Sequence, residues 1–122
     1  MTRPRVLIVD AQPVFRRVAR EVLDARGYTV VGEATCAASA LEAAERLGPD
    51  AVLLDVRLGD DSGYAVARTL AELAHPPAVL LVSVLRDGDE DELACACGAC
   101  GFLSKSRLAT TDLGRFWPDT PR

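Results

Sequence analysis

The sequence predicts a doubly wound α/β domain, a parallel sheet with helices on both faces. Three observations carry that expectation. Five short apolar runs alternate with segments of helical periodicity along the 122 residues. The runs are continuous and rich in Val, Leu and Ile, as strands buried on both faces require. Gly and Pro punctuate the joints, and no repeat or low-complexity linker breaks the order.

The elements follow in turn. Residues 6–9, Val-Leu-Ile-Val, read as a buried strand. Over 13–26, Val14, Phe15, Val18, Ala19, Val22 and Leu23 recur at helical spacing, with Arg16, Arg17, Arg20 and Glu21 opposite. Pro13 suits the first turn of that helix and Gly27 its end. Residues 28–34 form the second strand, and 37–47, rich in Ala, Glu and Leu, the second helix, closed by Gly48-Pro49. Residues 51–54 form the third strand, which ends in Asp55. A polar loop, Leu58-Gly59-Asp60-Asp61-Ser62-Gly63, leads to a helix over about 64–74, stopped by Pro76-Pro77. A fourth strand spans 78–84. A fourth helix spans 89–97, with acidic residues favourable to its dipole in the first turn. After the Gly98–Gly101 turn, Phe102-Leu103 opens a short fifth strand. A last helix is expected over 107–116, weakened by Gly114, followed by a frayed tail from Trp117. The expectation is one domain over 1–122, with a core of about 5–108 and a short or frayed helix and tail over 109–122.

Five βα units with right-handed crossovers leave few topologies. The commonest is the flavodoxin-like strand order 2-1-3-4-5. The ligand edge of such a sheet lies outside the carboxyl ends of the strands, between the first and third.

Composition sets the bounds on function. An apolar share of 49% supports a folded core, and aromatics at 5% make it a core of Val, Leu, Ile and Ala. A net charge of −4 gives no basic face for nucleic acid. No run approaches the ~18 apolar residues of a membrane span. The basic start Arg3-Pro4-Arg5 and its apolar run are broken at Asp10, which argues against a signal peptide. A cytoplasmic location is the expectation. Among 14 Lys and Arg, Lys105 is the only lysine, a compact point charge that arginine does not replace.

The edge rule collects a short set of residues. Strand one ends at Asp10, strand three at Asp55, strand four at Ser83-Val84 and strand five at Ser104-Lys105. Two carboxylates, a hydroxyl and the lone lysine thus arrive from four parts of the chain. Such carboxylates suit a hard divalent cation. One beside a cation can be a nucleophile toward phosphorus, with an ammonium and a hydroxyl neutralising the equatorial oxygens.

Val6-Leu7-Ile8-Val9-Asp10, Asp50-Ala51-Val52-Leu53-Leu54-Asp55, Leu81-Val82-Ser83 and Gly101-Phe102-Leu103-Ser104-Lys105 resemble the receiver domain of bacterial two-component response regulators, in order and separation. The resemblance runs from about residue 5 to 108. Pro13-Val14-Phe15-Arg16 and Lys105-Ser106 are similar to the branch that carries a helix-turn-helix output domain. The resemblance implies a chemotaxis-regulator-like fold and a signalling protein rather than an enzyme. It implies that Asp55 accepts a phosphoryl group from a histidine kinase or phosphotransfer protein. Mg²⁺ would be held by the acidic pair after strand one, here Asp10, by Asp55 and by the Arg57 backbone carbonyl. Lys105 would pair with the phosphoryl oxygens, Ser83 would move to hydrogen-bond them, and Phe102 would turn inward as Ser83 moves. The output would be a population shift around the fourth helix and fifth strand, read by a downstream protein target or a separate output domain. A homodimer through the helix-four to helix-five face is implied in the same way.

The chain also departs from the family. The acidic pair is Asp10-Ala11, so the second carboxylate is missing. Losing one carboxylate from a Mg²⁺ site built on one or two weakens it severely. Asp60 and Asp61 are the nearest candidates to compensate. Gly59 stands where proline is common, and Val84 brings a branched side chain to the rim. The expectation is impaired phosphorylation of Asp55. The alternative is a degenerate receiver, a phosphorylation-independent protein-interaction module.

Other motifs have plainer readings. Cys95, Cys97 and Cys100 lack a fourth zinc ligand, because the topology places Cys36 and His75 elsewhere, and they read as packing residues. His75 reads as a surface residue. The acidic run 87–92 reads as a solvent-facing cap. A phosphatase would need a carboxylate two positions after Asp55, where Arg57 stands. A nucleotide binder would need a Gly-rich loop in place of Asp10-Ala11-Gln12-Pro13.

Overall fold

The structure, a computed structural model, describes residues 2–84 and 88–121. The main sheet has five parallel strands: β1 (Arg5–Val9), β2 (Thr29–Ala34), β3 (Ala51–Asp55), β4 (Ala78–Ser83) and β5 (Gly101–Ser104). Their order is β2-β1-β3-β4-β5, the order expected for a flavodoxin-like doubly wound sheet. Four helices connect them: α1 (Pro13–Ala25), α2 (Ala37–Leu47), α3 (Gly63–Leu70) and α4 (Glu90–Ala96). β1 pairs with both β2 and β3, so the chain reverses its winding there and opens a crevice at the strand ends.

Strand alternation sorts the core into two layers. Leu7, Val9, Val52, Leu54, Leu81 and Phe102 face α2, α3 and α4. Val6, Ile8, Leu53, Leu80, Val82 and Leu103 face α1 and the C-terminal segment. β1, β3 and β4 are buried on both faces, which explains their unbroken apolar runs. Each fully buried Leu or Ile contributes about 1.5–3 kcal/mol. Ala40, Ala43 and Ala44 let α2 lie close against this layer.

α1 buries a narrower stripe than its periodicity suggests. Ala19 and Leu23 are fully buried and Phe15 and Val22 pack beside them. Val14 and Val18 are exposed, at 70% and 44%. They fall one residue to the side of the stripe, towards solvent.

Three other expectations are corrected. α3 ends at Leu70 rather than Ala74. A short antiparallel ribbon, Arg57–Leu58 against Asp61–Ser62, forms within the expected polar loop after β3. The last helix does not form. Two 3₁₀ turns, Lys105–Arg107 and Leu113–Arg115, take its place, and Trp117 is fully buried rather than frayed. The indole Nε1 donates to the Ala78 carbonyl at 3.1 Å. Its ring meets Tyr28 edge-on at 5.8 Å. Thr2 and Thr120 exchange backbone hydrogen bonds of 2.8 Å in an antiparallel bridge, and Arg26 donates to the carbonyls of Ala109 and Thr111. Leu108, Leu113 and Trp117 thus fill the space beside α1 that a fifth helix would cover.

Candidate functional site

The carboxyl ends of β1, β3, β4 and β5 meet at one cavity of about 520 Å³. Ala11, Gln12, Asp55, Arg57, Gly59, Ser83, Val84 and Lys105 line it. Parallel pairing delivers these residues. β3 carries Asp55 opposite Val82 of β4, and Ser83 lies opposite Ser104 of β5, so Lys105 follows directly at the edge.

Lys105 joins the two acids. Its Nζ lies 2.7 Å from Asp10 Oδ2 and 3.2 Å from Asp55 Oδ2. The contact with Asp55 is a hydrogen bond. That with Asp10 is a charge contact outside hydrogen-bond angles. All three side chains are at least nine-tenths buried. The remaining carboxylate oxygens are engaged by backbone. Gln12 N–H donates to Asp10 Oδ1 at 2.8 Å, and Arg57 N–H donates to Asp55 Oδ1 at 3.2 Å. Burial pushes the Asp55 carboxyl above its ordinary range. The Arg57 amide and Lys105 pull it back and the Asp10 charge pushes it further up, with a net upward direction.

A close backbone approach fixes Asp55 from behind. Gly63, at the start of α3, lies so near β3 that a Cβ there would sit 2.7 Å from Val56 Cα and collide with the Asp55 carbonyl. Its N–H donates to the Val56 carbonyl at 2.8 Å. Ser62 caps α3 through its Oγ. Arg16 secures the other side, donating to the Asp10 carbonyl at 2.7 Å and to Glu33 at 2.9 Å.

The remaining sequence candidates are placed as follows. Ser83 is buried on the cavity wall. Phe102 is buried in the layer facing α2–α4 and does not line the cavity. Arg57 exposes its side chain and presents its backbone to Asp55. Asp61 accepts from the Ala37 N–H at the start of α2, at 3.0 Å, and so turns from the cavity. Asp60 is exposed. Val84 is 75% exposed at the rim. Within the acidic run, Glu90 is buried rather than solvent-facing, and its Oε2 accepts from Gly88 N–H. Asp87 lies outside the described residues. Cys97 is buried in the core, Cys100 donates its thiol to the Val79 carbonyl, and burial pushes that thiol up to about 11. Cys95, Cys100 and His75 are exposed as residues, so of the three cysteines expected to pack only Cys97 lies in the core. Among the described residues, no three His, Cys, Asp or Glu side chains group as metal ligands.

The model of the response regulator receiver domain matches residues 6–113. The chain belongs to this family. The receiver is 39% identical, over 112 residues, to protein-glutamate methylesterase/protein-glutamine glutaminase 5 of Myxococcus xanthus. That match covers 88% of the chain and 32% of the relative, so the chain spans about a third of that protein. Among solved structures it is similar to the signal receiver domain of NarL from Mycobacterium tuberculosis. The TM-score is 0.80 at 32% identity, covering 89% of this chain and 92% of that one. The response regulator domain of Thermotoga maritima CheB gives 0.76 at 29% identity, covering 91% and 84%. Residues 6–113 form a receiver domain of two-component signalling. No helix among the described residues is long and apolar enough to cross a membrane.

Two functional contacts escaped the sequence reading. Phe15 stacks under the Lys105 ammonium, 4.3 Å from ring centroid to Nζ. Arg16 reaches the Asp10 carbonyl. Both counted as positions on an amphipathic helix and as part of a family-like motif, with no contact to the site assigned to them. Their signal was proximity to Asp10 at the start of α1.

Proposed function

We propose that Asp55 is the phosphoacceptor of this receiver in a phosphorelay, and that Ala11 impairs its phosphorylation. The observation that carries the reading is the Lys105 ammonium held between Asp10 and Asp55 at the cavity floor. The donor is a histidine kinase or phosphotransfer protein. A lone pair of an Asp55 oxygen attacks phosphorus, and the P–N bond of the phosphohistidine breaks. Its electron pair stays on the imidazole nitrogen, which takes a proton from water. Lys105 neutralises the equatorial oxygens and the Ser83 hydroxyl hydrogen-bonds one of them. Phe102 would turn inward as the Ser83 hydroxyl moves, and its ring is already buried.

A Mg²⁺ ion fits these residues poorly. Ala11 offers no oxygen. Every carboxylate oxygen of Asp10 and Asp55 already has a backbone N–H or the Lys105 ammonium beside it. Asp61, which could have compensated, is committed to α2. No step is therefore routed through the ion.

The test is incubation with a small acyl phosphate, with and without Mg²⁺, followed by intact-mass measurement. Slow uptake by the unaltered chain and faster uptake by Ala11→Asp support the reading. Ready, Mg²⁺-dependent uptake by the unaltered chain overturns the impairment. The same poor cation fit favours a second reading, a phosphorylation-independent interaction module. It gains if neither chain takes up a phosphoryl group.

A further inference from the structure

Lys105 is held by more than its two acids. Its Nζ stands 4.3 Å from the centroid of the Phe15 ring, over the face. An aromatic face is the negative end of the ring quadrupole, and it attracts an ammonium most where water is excluded. Water is largely excluded here, since the Lys105 side chain is 10% exposed. The ammonium therefore has three negative neighbours: Asp10 Oδ2, Asp55 Oδ2 and the Phe15 ring.

The backbone that carries the ring is anchored. Phe15 lies in the first turn of α1, and Arg16 ties that turn to the end of β1 through the Asp10 carbonyl. Glu33 on β2 accepts from Arg16 and, one turn further on, from Arg20, at 2.8–3.0 Å. These bonds hold α1 in register with β1. They fix the backbone from which the Phe15 ring reaches Lys105, and the ring packs beside the buried Ala19 and Leu23.

We propose that Phe15 is a positioning residue for Lys105, its ring face confining the ammonium against Asp10 and Asp55. The proposal rests on the reading of Asp55 as phosphoacceptor only for its functional consequence. With one carboxylate lost at Ala11, the lysine is the cation that holds Asp10 and Asp55 together, and its placement decides how the phosphoryl oxygens are met. A purely structural Phe15 would fill space in the α1 layer, and an aliphatic side chain of similar size would serve as well.

Lys105 is the only lysine, so lysine-selective ¹⁵N labelling gives one side-chain ammonium signal. The experiment measures exchange of its protons with water in the unaltered chain, in Phe15→Leu and in Phe15→Tyr. Phe15→Leu is expected to exchange faster by about three- to thirty-fold, the range of cation–π contacts from exposed to desolvated. Phe15→Tyr should match the unaltered chain. Equal exchange in Phe15→Leu, or exchange in Phe15→Tyr as fast as in Phe15→Leu, overturns the proposal. Phosphoryl uptake from the small acyl phosphate is followed in parallel, and it should slow in Phe15→Leu and recover in Phe15→Tyr. If the unaltered chain takes up nothing, the phosphoacceptor reading fails, while proton exchange still decides the role of Phe15.

Discussion

Lys105 Nζ lies closer to Asp10 than to Asp55, at 2.7 Å against 3.2 Å. The lysine of this receiver is thus shared, and the acid it approaches more closely is not the proposed phosphoacceptor. Asp10 acts on Asp55 in two ways: it draws the ammonium away, and its charge raises the neighbouring carboxyl. Asp10→Asn removes both effects and keeps an oxygen for the Gln12 N–H. The Asp55 carboxyl should then titrate lower than in the unaltered chain. Side-chain ¹³C NMR of Asp55 across pH measures this, and an unchanged or higher midpoint would refute it.

The burial of Asp55 has a consequence for stability. A carboxyl raised above its ordinary range binds a proton more readily folded than unfolded. Stability therefore falls as pH rises from the ordinary carboxylate value through the folded one, and the deficit is complete above it. Asp55→Asn removes that charge while Lys105 keeps Asp10. At neutral pH it should stabilise the protein by about 0.5–2 kcal/mol, as relief of a site built for function rather than stability does. The gain should shrink as pH falls to the ordinary carboxylate range. Urea denaturation at several pH values checks both the sign and the trend.

Gly63 sets how closely α3 approaches Asp55. A methyl at that position meets the backbone of Asp55 and Val56, which a side-chain rotation cannot relieve. Gly63→Ala should cost about 1–3 kcal/mol through forced backbone shifts. It should also change the Asp55 environment, because the displaced carbonyl belongs to that residue. Thermal denaturation together with the Asp55 NMR signal tests this. A loss of stability with an unmoved Asp55 signal would separate the two effects.

The sheet order, the crevice and the convergence of Asp10, Asp55, Ser83 and Lys105 were legible because each follows from strand periodicity and strand ends. Both faces of β1, β3 and β4 are covered, so their apolar runs are unbroken and unmistakable. Phe15 was hidden because a helical stripe does not say what lies at its end. Val14 and Val18 were misplaced because a one-residue rotation of α1 leaves the periodicity intact. Glu90 was misread because the sequence does not show that its carboxylate is met at close range, by the Gly88 N–H among others. The segment after Leu108 was obscure for a different reason. Its turns are short, its Gly114 breaks the helical pattern, and its anchor Trp117 makes contacts distant in sequence with Tyr28 and Ala78.

That anchor gives the strongest stability prediction. Trp117 is fully buried beside Tyr28 in the layer that α1 covers, together with Leu108 and Leu113. Trp117→Ala removes the ring, its edge contact with Tyr28 and the hydrogen bond to Ala78. The expected loss is about 3–5 kcal/mol, a large part of the stability of a domain this size. Trp117→Phe keeps an aromatic ring and loses the indole N–H, so it should cost less than half as much. Truncation after residue 108 removes Leu113 and Trp117 together and exposes the α1-side core. A frayed tail would leave that truncated chain as stable as the parent. The buried indole predicts instead a chain that melts far lower or fails to fold, and thermal denaturation of the three variants beside the parent distinguishes the two.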